Sequence, residues 1–235
     1  MRFPLRLSAG LLKTKIARLA GADVLSPIVH LVPGENCVVQ ARNSALPVIW
    51  LGGTDSVLDP EIGRVTNTLV ELDRYVFLHT DGCNLRQRIH AFRPDSRLFL
   101  TLEFAGREEN HNRVAGRADA FRRSIEAIRA AKLSGFLIAA HFTVTSETDA
   151  CGIGELIGFL DKMDVDGFIV SSRGRSLADD GASLAENLAD VRSMIRSGRW
   201  ENFSRLLEGS YANAVPAGVS EGVSASGESA FEEGD

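Results

Sequence analysis

The sequence predicts an α/β protein whose parallel strands form an open, partial barrel. Six short apolar runs, each ending in polar or small residues, are spaced along the chain, and most precede a helical pattern of apolar residues. With 235 residues, 44% of them hydrophobic, the chain is long enough to bury one sizeable core. Strands alternating with helices predict a parallel sheet with right-handed crossovers, and six such units form an open barrel, since a closed one has eight.

The first 24 residues predict a basic amphipathic helix ahead of the barrel. Apolar residues at helical spacing alternate there with five cationic ones: Arg2, Arg6, Lys13, Lys15 and Arg18. Lys13 and Lys15 interrupt the apolar part, which argues against a signal peptide. Two interpretations stay open. Residues 1–21 form either a helix that rests on a membrane surface or a helix that caps the bottom of the barrel.

The first two strands are predicted at residues 28–32 and 47–51. The connection between them is about the minimum that a parallel crossover requires and has no clear helical pattern. The first crossover helix is therefore predicted to be missing or shortened. The second strand ends at Gly52-Gly53, where backbone without Cβ atoms can approach a ligand closely.

The rest of the chain alternates regularly. Asp59-Pro60 predicts an N-cap and first-turn proline for the helix that follows. Further strands are predicted at 75–79, 98–104, 136–144 and 167–171, with helices near 84–92, 121–128, 156–163 and 184–195. Residues 107–113 predict a charged loop, and a capping box at Ser183 and Glu186 predicts the start of the last helix. The barrel thus covers residues 25–208, and residues 209–235, rich in Ser, Gly, Ala and Glu, predict a disordered acidic tail.

Composition excludes several classes of function. A formal net charge of -5 and a pI near 5.6 argue against a nucleic-acid partner, which requires a basic face. No apolar run approaches the length that spans a bilayer. The three cysteines form no C-x-x-C pair, so the sequence predicts neither a disulfide framework nor a zinc knuckle, and a reducing cytoplasm is the expected compartment.

Several short motifs follow one another in order over residues 1–208: Met1-Arg2-Phe3-Pro4-Leu5, Pro33-x-x-x-Cys37, Gly52-Gly53, Tyr75-Val76-Phe77-Leu78-His79-Thr80, Glu108-Glu109-x-His111-x-Arg113, Ala127-Ile128-Arg129-Ala130-Ala131-Lys132 and Val165-Asp166-Gly167. Together they resemble the radical SAM enzymes of hopanoid biosynthesis, of the adenosylhopane synthase type. The resemblance implies a partial (β/α) barrel of radical SAM type, a [4Fe–4S] cluster, and S-adenosylmethionine as the source of a deoxyadenosyl radical that adds to a hopene side chain. It also implies a residual S-adenosylmethionine pocket at Gly52, Gly53, Thr54, Asp55, Thr80 and His141.

The sequence departs from that family where the cluster binds. The family motif C-x-x-x-C-x-x-C would place cysteines at positions 37, 41 and 44, and this chain has Cys37, Ala41 and Ser44. Neither alanine nor serine normally replaces a thiolate ligand of iron. The family's Glu-Pro after the glycine pair is Thr54-Asp55 here, and its aspartate after the fourth strand is Ala105. These losses predict a degenerate barrel without a standard cluster site.

Other candidate residues follow or lie within the predicted strands. A replacement zinc or iron site is one hypothesis, with ligands Cys37, Cys83, Cys151 and His79. The alternative is ordinary free thiols, because no two of these residues have the short spacing of a metal motif. His30 and His141 lie inside predicted strands, a position typical of hydrogen-bonded core histidines.

Three functional hypotheses stay open. The first is a non-catalytic binding or accessory protein, whose partner is another protein or a small nucleotide-like or polyprenoid ligand, with a link to hopanoid metabolism through the resemblance. The second is an enzyme: a radical SAM protein that uses atypical cluster ligands on a hopene-type lipid, or a barrel with unrelated chemistry at the same rim. The third is an unselected gene remnant, which would fold poorly and expose barrel edges.

Overall fold

The computed structural model describes residues 3–19, 27–34, 36–53, 55–172 and 181–214. In these ranges six strands pair in chain order, each parallel to the next: β1 Ile28–Leu31, β2 Val48–Leu51, β3 Tyr75–Thr80, β4 Leu98–Phe104, β5 Leu137–Val144 and β6 Gly167–Ser172. The first and last strands are the edges of this sheet, so the barrel is open. The predicted open (β/α)6 architecture is confirmed.

Helices connect successive strands, as parallel pairing requires: α2 Cys37–Asn43, α3 Ile62–Glu71, α4 Leu85–Arg88, α5 Glu108–Ala115, α6 Ala120–Leu133 and α7 Ala150–Lys162, with 3-10 turns at Ser56–Leu58 and Ile89–Ala91. Helix α1 Leu5–Leu19 precedes β1, and helices α8 Gly181–Ser193 and α9 Gly198–Ala214 follow β6. The first crossover helix α2 has only seven residues, which confirms the prediction that this helix is shortened.

The charged segment predicted as a loop is helix α5. Glu108 and Glu109 occupy its first turn, where the positive end of the helix dipole stabilises carboxylates. Gly116 ends the helix in the left-handed conformation, with φ 64°, a backbone geometry that glycine adopts without steric cost. The loop prediction is wrong because it weighed the charges of the segment and not these end signals.

The last two helices also differ from the predicted boundaries. Helix α8 is already helical at Gly181, so Ser183 and Glu186 lie inside it and the predicted capping box does not start it. Helix α9 extends to Ala214, past the predicted start of the tail at residue 209, because Ser210 and Tyr211 contact His30 of β1. The predicted tail from residue 215 onward, like residues 1–2 and 20–24 of the predicted N-terminal helix, lies outside the described residues.

Helix α9 lies along the open side of the barrel and fills its interior. The Phe203 ring stacks on Phe77 of β3 at 4.6 Å between centroids, and Trp200 packs against Phe99 of β4. The side-chain hydroxyl of Ser204 accepts a hydrogen bond from Val170 N at the free edge of β6, at 3.0 Å. Because Ser210 Oγ also lies 2.6 Å from His30 Nε2 of β1, α9 bridges the two edge strands.

Helix α1 packs against the amino-terminal ends of the strands. The Phe3 ring, just ahead of α1, meets Trp200 of α9 edge-on at 4.9 Å, and Leu7 is fully buried. Gly10 faces Pro47, the residue that precedes β2. One side of α1 therefore covers the bottom of the barrel, in agreement with one of the two interpretations of this segment.

Candidate ligand site at the carboxyl ends of the strands

The interior of the barrel changes from aromatic to polar along the strands. Side chains two residues apart on a strand share a face, so His79 follows Phe77 on β3 and Glu103 follows Phe99 and Thr101 on β4. On β5 and β6 the same face carries His141, Thr143 and Ser171. The aromatic part meets α9, and the polar part lies toward the carboxyl ends of the strands.

These polar side chains form one connected row across four strands. His141 Nε2 lies 2.7 Å from Ser171 Oγ, and its Nδ1 lies 3.2 Å from His79 Nε2. Glu103 Oε2 lies 3.6 Å from the same His79 nitrogen, and Thr143 Oγ1 donates to Glu103 Oε1 at 2.7 Å. His141 and Ser171 are buried, whereas Glu103 is partly exposed. The row therefore leads from the buried interior to the rim between β4 and β5.

The two strand histidines are hydrogen-bonded, as their position in the sequence indicated. His141 belongs to the polar row, and His30 contacts Ser210 of α9. Burial lowers the pKa of His30 from 6.5 to about 4, so this imidazole is neutral at physiological pH. Neither the sharing of His141 between His79 and Ser171 nor the link to Glu103 could be predicted, because these contacts join different strands.

The residues of the predicted S-adenosylmethionine pocket fall into two groups. The backbone at Gly52 lies beside His79, which contacts His141. Asp55 instead accepts hydrogen bonds from Thr80 Oγ1 at 2.9 Å and from Asn84 Nδ2 at 2.8 Å. Thr80 faces away from the barrel interior, since it is the neighbour of His79 on the same strand. Gly53, with φ 132°, makes the turn between the groups, and Thr54 lies outside the described residues.

The candidate metal ligands do not converge. Cys37 is buried at the start of α2, Cys83 is buried after β3, and Cys151 is exposed near the start of α7. Among the residues that the structure describes, no three His, Cys, Asp or Glu side chains are arranged to hold a metal ion. The hypothesis that joined these cysteines with His79 therefore has no geometric support.

The position of the family's cluster motif is occupied by α2. Ala41 is buried on this helix, and Ser44 caps its end while its Oγ accepts a hydrogen bond from Leu46 N at 3.2 Å. Burial, together with the Asp59 carboxylate, raises the pKa of the Cys37 thiol to about 11. Iron binds the thiolate form of cysteine. The residues present thus do not fit a three-cysteine cluster.

A cleft of about 150 Å³ opens at the carboxyl ends of β4 and β5, where the polar row ends. Its walls combine two carboxylates, a guanidinium, an amide and three hydroxyl groups: Glu103, Ala105, Asn110, Arg113, Val114, Thr143, Thr145, Glu147 and Thr148. A second cleft of about 380 Å³ adjoins it and shares Ala105, Asn110 and Arg113. Open α/β sheets bind their ligands outside the carboxyl ends of their parallel strands, which is where these two clefts lie.

The cleft was not predicted from the sequence. One available signal was the threonine pattern at the end of β5, because Thr143, inside the strand, and Thr145, just after it, alternate with apolar residues. A second signal was Arg113, which was expected in a loop. Helix α5 instead holds Arg113 beside Asn110, and Arg113 Nη2 donates a hydrogen bond to the amide oxygen of Asn110. Only the fold shows that both face the same cleft as Glu103.

Comparisons with known proteins identify the fold. No protein-family model and no curated protein matches this sequence. Among solved structures, the chain is similar to SuiB from Streptococcus suis, with TM-score 0.53, 15% identity, and coverage of 68% of this chain and 40% of SuiB. It is also similar to SuiB bound to S-adenosylmethionine, with TM-score 0.54, 14% identity, and coverage of 77% of this chain and 51% of SuiB.

A third SuiB structure, bound to the precursor peptide SuiA, matches with TM-score 0.55 and 14% identity over 77% of this chain and 50% of SuiB. The chain thus spans about half the length of the SuiB chains it matches. Identities this low establish a common fold only. The predicted open partial barrel is confirmed as the fold, and the link to radical SAM enzymes of hopanoid biosynthesis stays a prediction.

Proposed function

We propose that this chain is a radical-SAM-like barrel that binds a small nucleoside-type ligand at its rim without carrying a standard [4Fe–4S] cluster. The cleft at the ends of β4 and β5 is the observation that carries the proposal, because it places Glu103, Arg113 and threonine hydroxyls around one concave space. A few convergent polar groups in a concave site are typical of small-molecule binding. The likeness to a SuiB structure with bound S-adenosylmethionine supports the same ligand class.

The chemistry of the cleft suits a ligand that has both hydroxyl groups and an anionic group. Glu103 offers a carboxylate that accepts hydrogen bonds from sugar hydroxyls, and Thr143 already donates to its other oxygen. Arg113 offers a guanidinium, which pairs with carboxylate or phosphate. S-adenosylmethionine and S-adenosylhomocysteine carry ribose hydroxyls and a carboxylate, so they are the probes of choice.

The state of Cys37 supports a non-catalytic role. A cluster ligand must lose its proton, and burial of Cys37 with the Asp59 carboxylate close by opposes this loss. Positions 41 and 44 supply no sulfur. The alternative function, a radical SAM enzyme that transfers a deoxyadenosyl radical to a hopene-type lipid through atypical cluster ligands, requires cysteines to converge at this rim.

Helix α9 bears on the class of ligand. Its aromatic side chains pack against Phe77 and Phe99 and fill the barrel interior beneath the polar row. The space for a ligand next to the polar row is therefore at the rim. This favours a small polar ligand over a polyprenoid, and the hopanoid link rests on the resemblance alone.

A peptide or protein partner is a second candidate, favoured by the SuiB structure bound to its precursor peptide. A cytoplasmic location is part of this proposal, and the three free cysteines support it, because thiols stay reduced in that compartment.

Calorimetric titration of the chain with S-adenosylmethionine and S-adenosylhomocysteine tests the proposal. We expect binding that weakens by about tenfold or more in Arg113→Gln and Glu103→Gln, since each removes a charged hydrogen-bonding group. Arg205→Gln is the matched control, because Arg205 is an exposed arginine on α9 that pairs only with its helix neighbour Glu201 in the described structure. Absence of a heat of binding with both S-adenosylmethionine and S-adenosylhomocysteine would overturn the proposed ligand class.

Anaerobic reconstitution with iron and sulfide separates the proposal from the catalytic alternative. We expect substoichiometric iron and no visible absorbance of a cluster. A full complement of iron, together with cleavage of S-adenosylmethionine under reducing conditions, would establish the alternative enzyme. Replacement of Cys37 by serine then identifies whether that residue is a ligand.

A further inference from the structure

Helix α1 has two apolar sides, and the barrel buries only one of them. Leu7 is 1% exposed and packs against the bottom of the barrel. On the other side, Leu5 is 72% exposed, and Leu12 and Ile16 are each 56% exposed. Residues 5, 12 and 16 are separated by seven and four positions, so their side chains form one stripe along the helix. This exposed stripe contains only aliphatic side chains.

The charges beside the stripe are all positive. Arg6 and Lys13 are exposed and lie roughly a quarter turn from it. Residues 1–21 contain five Lys and Arg and no Asp or Glu, although the whole chain has a net charge of -5. The cationic side chains are thus concentrated next to exposed apolar surface in a protein that is acidic elsewhere.

We propose that the exposed face of α1 docks on an anionic lipid surface. An interfacial helix inserts its apolar stripe at the boundary between headgroups and acyl chains, while flanking cations meet lipid phosphates. Protein interfaces are instead enriched in aromatic residues and depleted of lysine, and this face has no aromatic side chain. Every helix among the described residues is too short or too polar to cross a bilayer, so the contact is peripheral.

The position of α1 sets the orientation of the docked protein. Helix α1 covers the amino-terminal ends of the strands through Gly10 and Pro47, whereas the cleft lined by Glu103 and Arg113 opens at the carboxyl ends. Docking by α1 therefore turns the cleft away from the lipid surface and toward water. This inference does not depend on the ligand proposed for that cleft, and the two can fail separately.

Co-sedimentation of the full chain with vesicles tests the docking. We expect binding to vesicles of phosphatidylcholine mixed with phosphatidylglycerol, weak binding to phosphatidylcholine alone, and loss of binding at high salt. Arg6→Gln combined with Lys13→Gln is expected to weaken binding by about 30-fold, since each cation near an anionic surface contributes about a fivefold factor. Binding of equal strength to neutral vesicles would overturn the electrostatic part of the proposal.

Leu12→Gln and Ile16→Gln test insertion of the stripe, each with an expected weakening of about tenfold. Leu58→Gln is the matched control, because Leu58 is 57% exposed and follows β2 at the opposite end of the barrel. All variants change exposed side chains, and unchanged thermal unfolding shows that each is folded. Equal binding by all three variants, or no binding by the parent chain, would overturn the proposal.

A second copy of the chain is the rival occupant of this face. Sedimentation velocity without lipid distinguishes it, because the proposal expects a monomer whose mass does not change in Leu12→Gln. A dimer that Leu12→Gln dissociates would show that α1 is an interface between copies and would refute docking on lipid.

Discussion

The Phe203 ring of α9 stacks on the Phe77 ring of β3 with 4.6 Å between their centroids. Phe77 faces the barrel interior, and Phe203 belongs to a helix that follows all six strands in the chain. Trp200, one turn earlier on α9, lies against Gly167 at the start of β6. The interior of the open barrel is therefore completed by α9, which is an integral part of the core.

Replacing Phe203 by alanine tests this role. Loss of a buried aromatic ring from a packed core costs about 3–5 kcal/mol of stability. We expect the urea midpoint of Phe203→Ala to fall accordingly, with the slope of the transition unchanged. Arg205→Ala, at an exposed position of the same helix, is the control and should change stability by less than about 0.5 kcal/mol. Similar effects of the two changes would contradict the placement of α9 inside the barrel.

Gly167→Ala tests how closely Trp200 packs, and Gly158→Ala serves as the comparison. A Cβ atom at Gly167 would overlap the Trp200 ring at Cζ2, so Gly167→Ala forces the ring or the strand to move. Overpacking of this kind costs about 1–3 kcal/mol. Gly158→Ala in the interior of α7 meets no atom within 4 Å and should stabilise the protein by about 0.5–1 kcal/mol. Opposite signs in thermal unfolding are the expected result, and a neutral Gly167→Ala would refute the contact.

The pKa of His30 predicts a pH dependence. Burial lowers this pKa from 6.5 in the unfolded chain to about 4 in the folded protein. Between these values the unfolded chain binds more protons, so stability is lost as the pH falls from about 6.5 to about 4. Because His30 is only partly buried, we expect a loss of about 2 kcal/mol from this residue.

Urea unfolding across this pH range measures the effect. His30→Gln should reduce the loss of stability on acidification, whereas His90→Gln, at an exposed position, should leave it unchanged. The difference between the variants isolates His30 from the carboxylates that also titrate there. If the two curves coincide, His30 is protonated in the folded state and the assignment is wrong.

Thiol reactivity follows from burial and charge. Burial, with a smaller effect of nearby carboxylates, raises the pKa of Cys37 and of Cys83 to about 11, and Cys151 is exposed. Since the thiolate is the reactive form, we expect a chromogenic disulfide reagent to modify one thiol per native chain rapidly at pH 8 and all three after denaturation. Cys151→Ser should abolish the rapid phase. Rapid reaction of Cys37 in that variant would mean that its thiol is exposed or ionised.

The positions of the barrel strands could be predicted because most of these strands are buried on both faces. Runs such as residues 98–104 and 137–144 are almost continuously apolar, and turns interrupt them at regular intervals. The short connection before β2 also predicted the reduced helix α2 correctly. These features are local, so the sequence alone carries them.

The parts that could not be predicted depend on contacts between distant residues. Trp200, Phe203 and Leu207 follow a helical spacing that was present in the sequence, but only the open side of the barrel explains why they are buried. Similarly, Glu103 and Arg113 come from different elements, and no spacing rule joins them in a cleft. The hypothetical cysteine site has no geometric support among the described residues for the same reason, since a shared end of the barrel does not make three side chains point at one another.

The place of α9 in the chain has a consequence for biosynthesis. All six strands leave the ribosome before α9, so Phe77, Phe99 and the free edge of β6 are exposed to water while the chain is still growing. Exposed aromatic surface and an unpaired strand edge are the features that make folding intermediates aggregate. Nascent chains that end before residue 198 should therefore depend on chaperones for solubility, and release from that dependence should coincide with the emergence of α9.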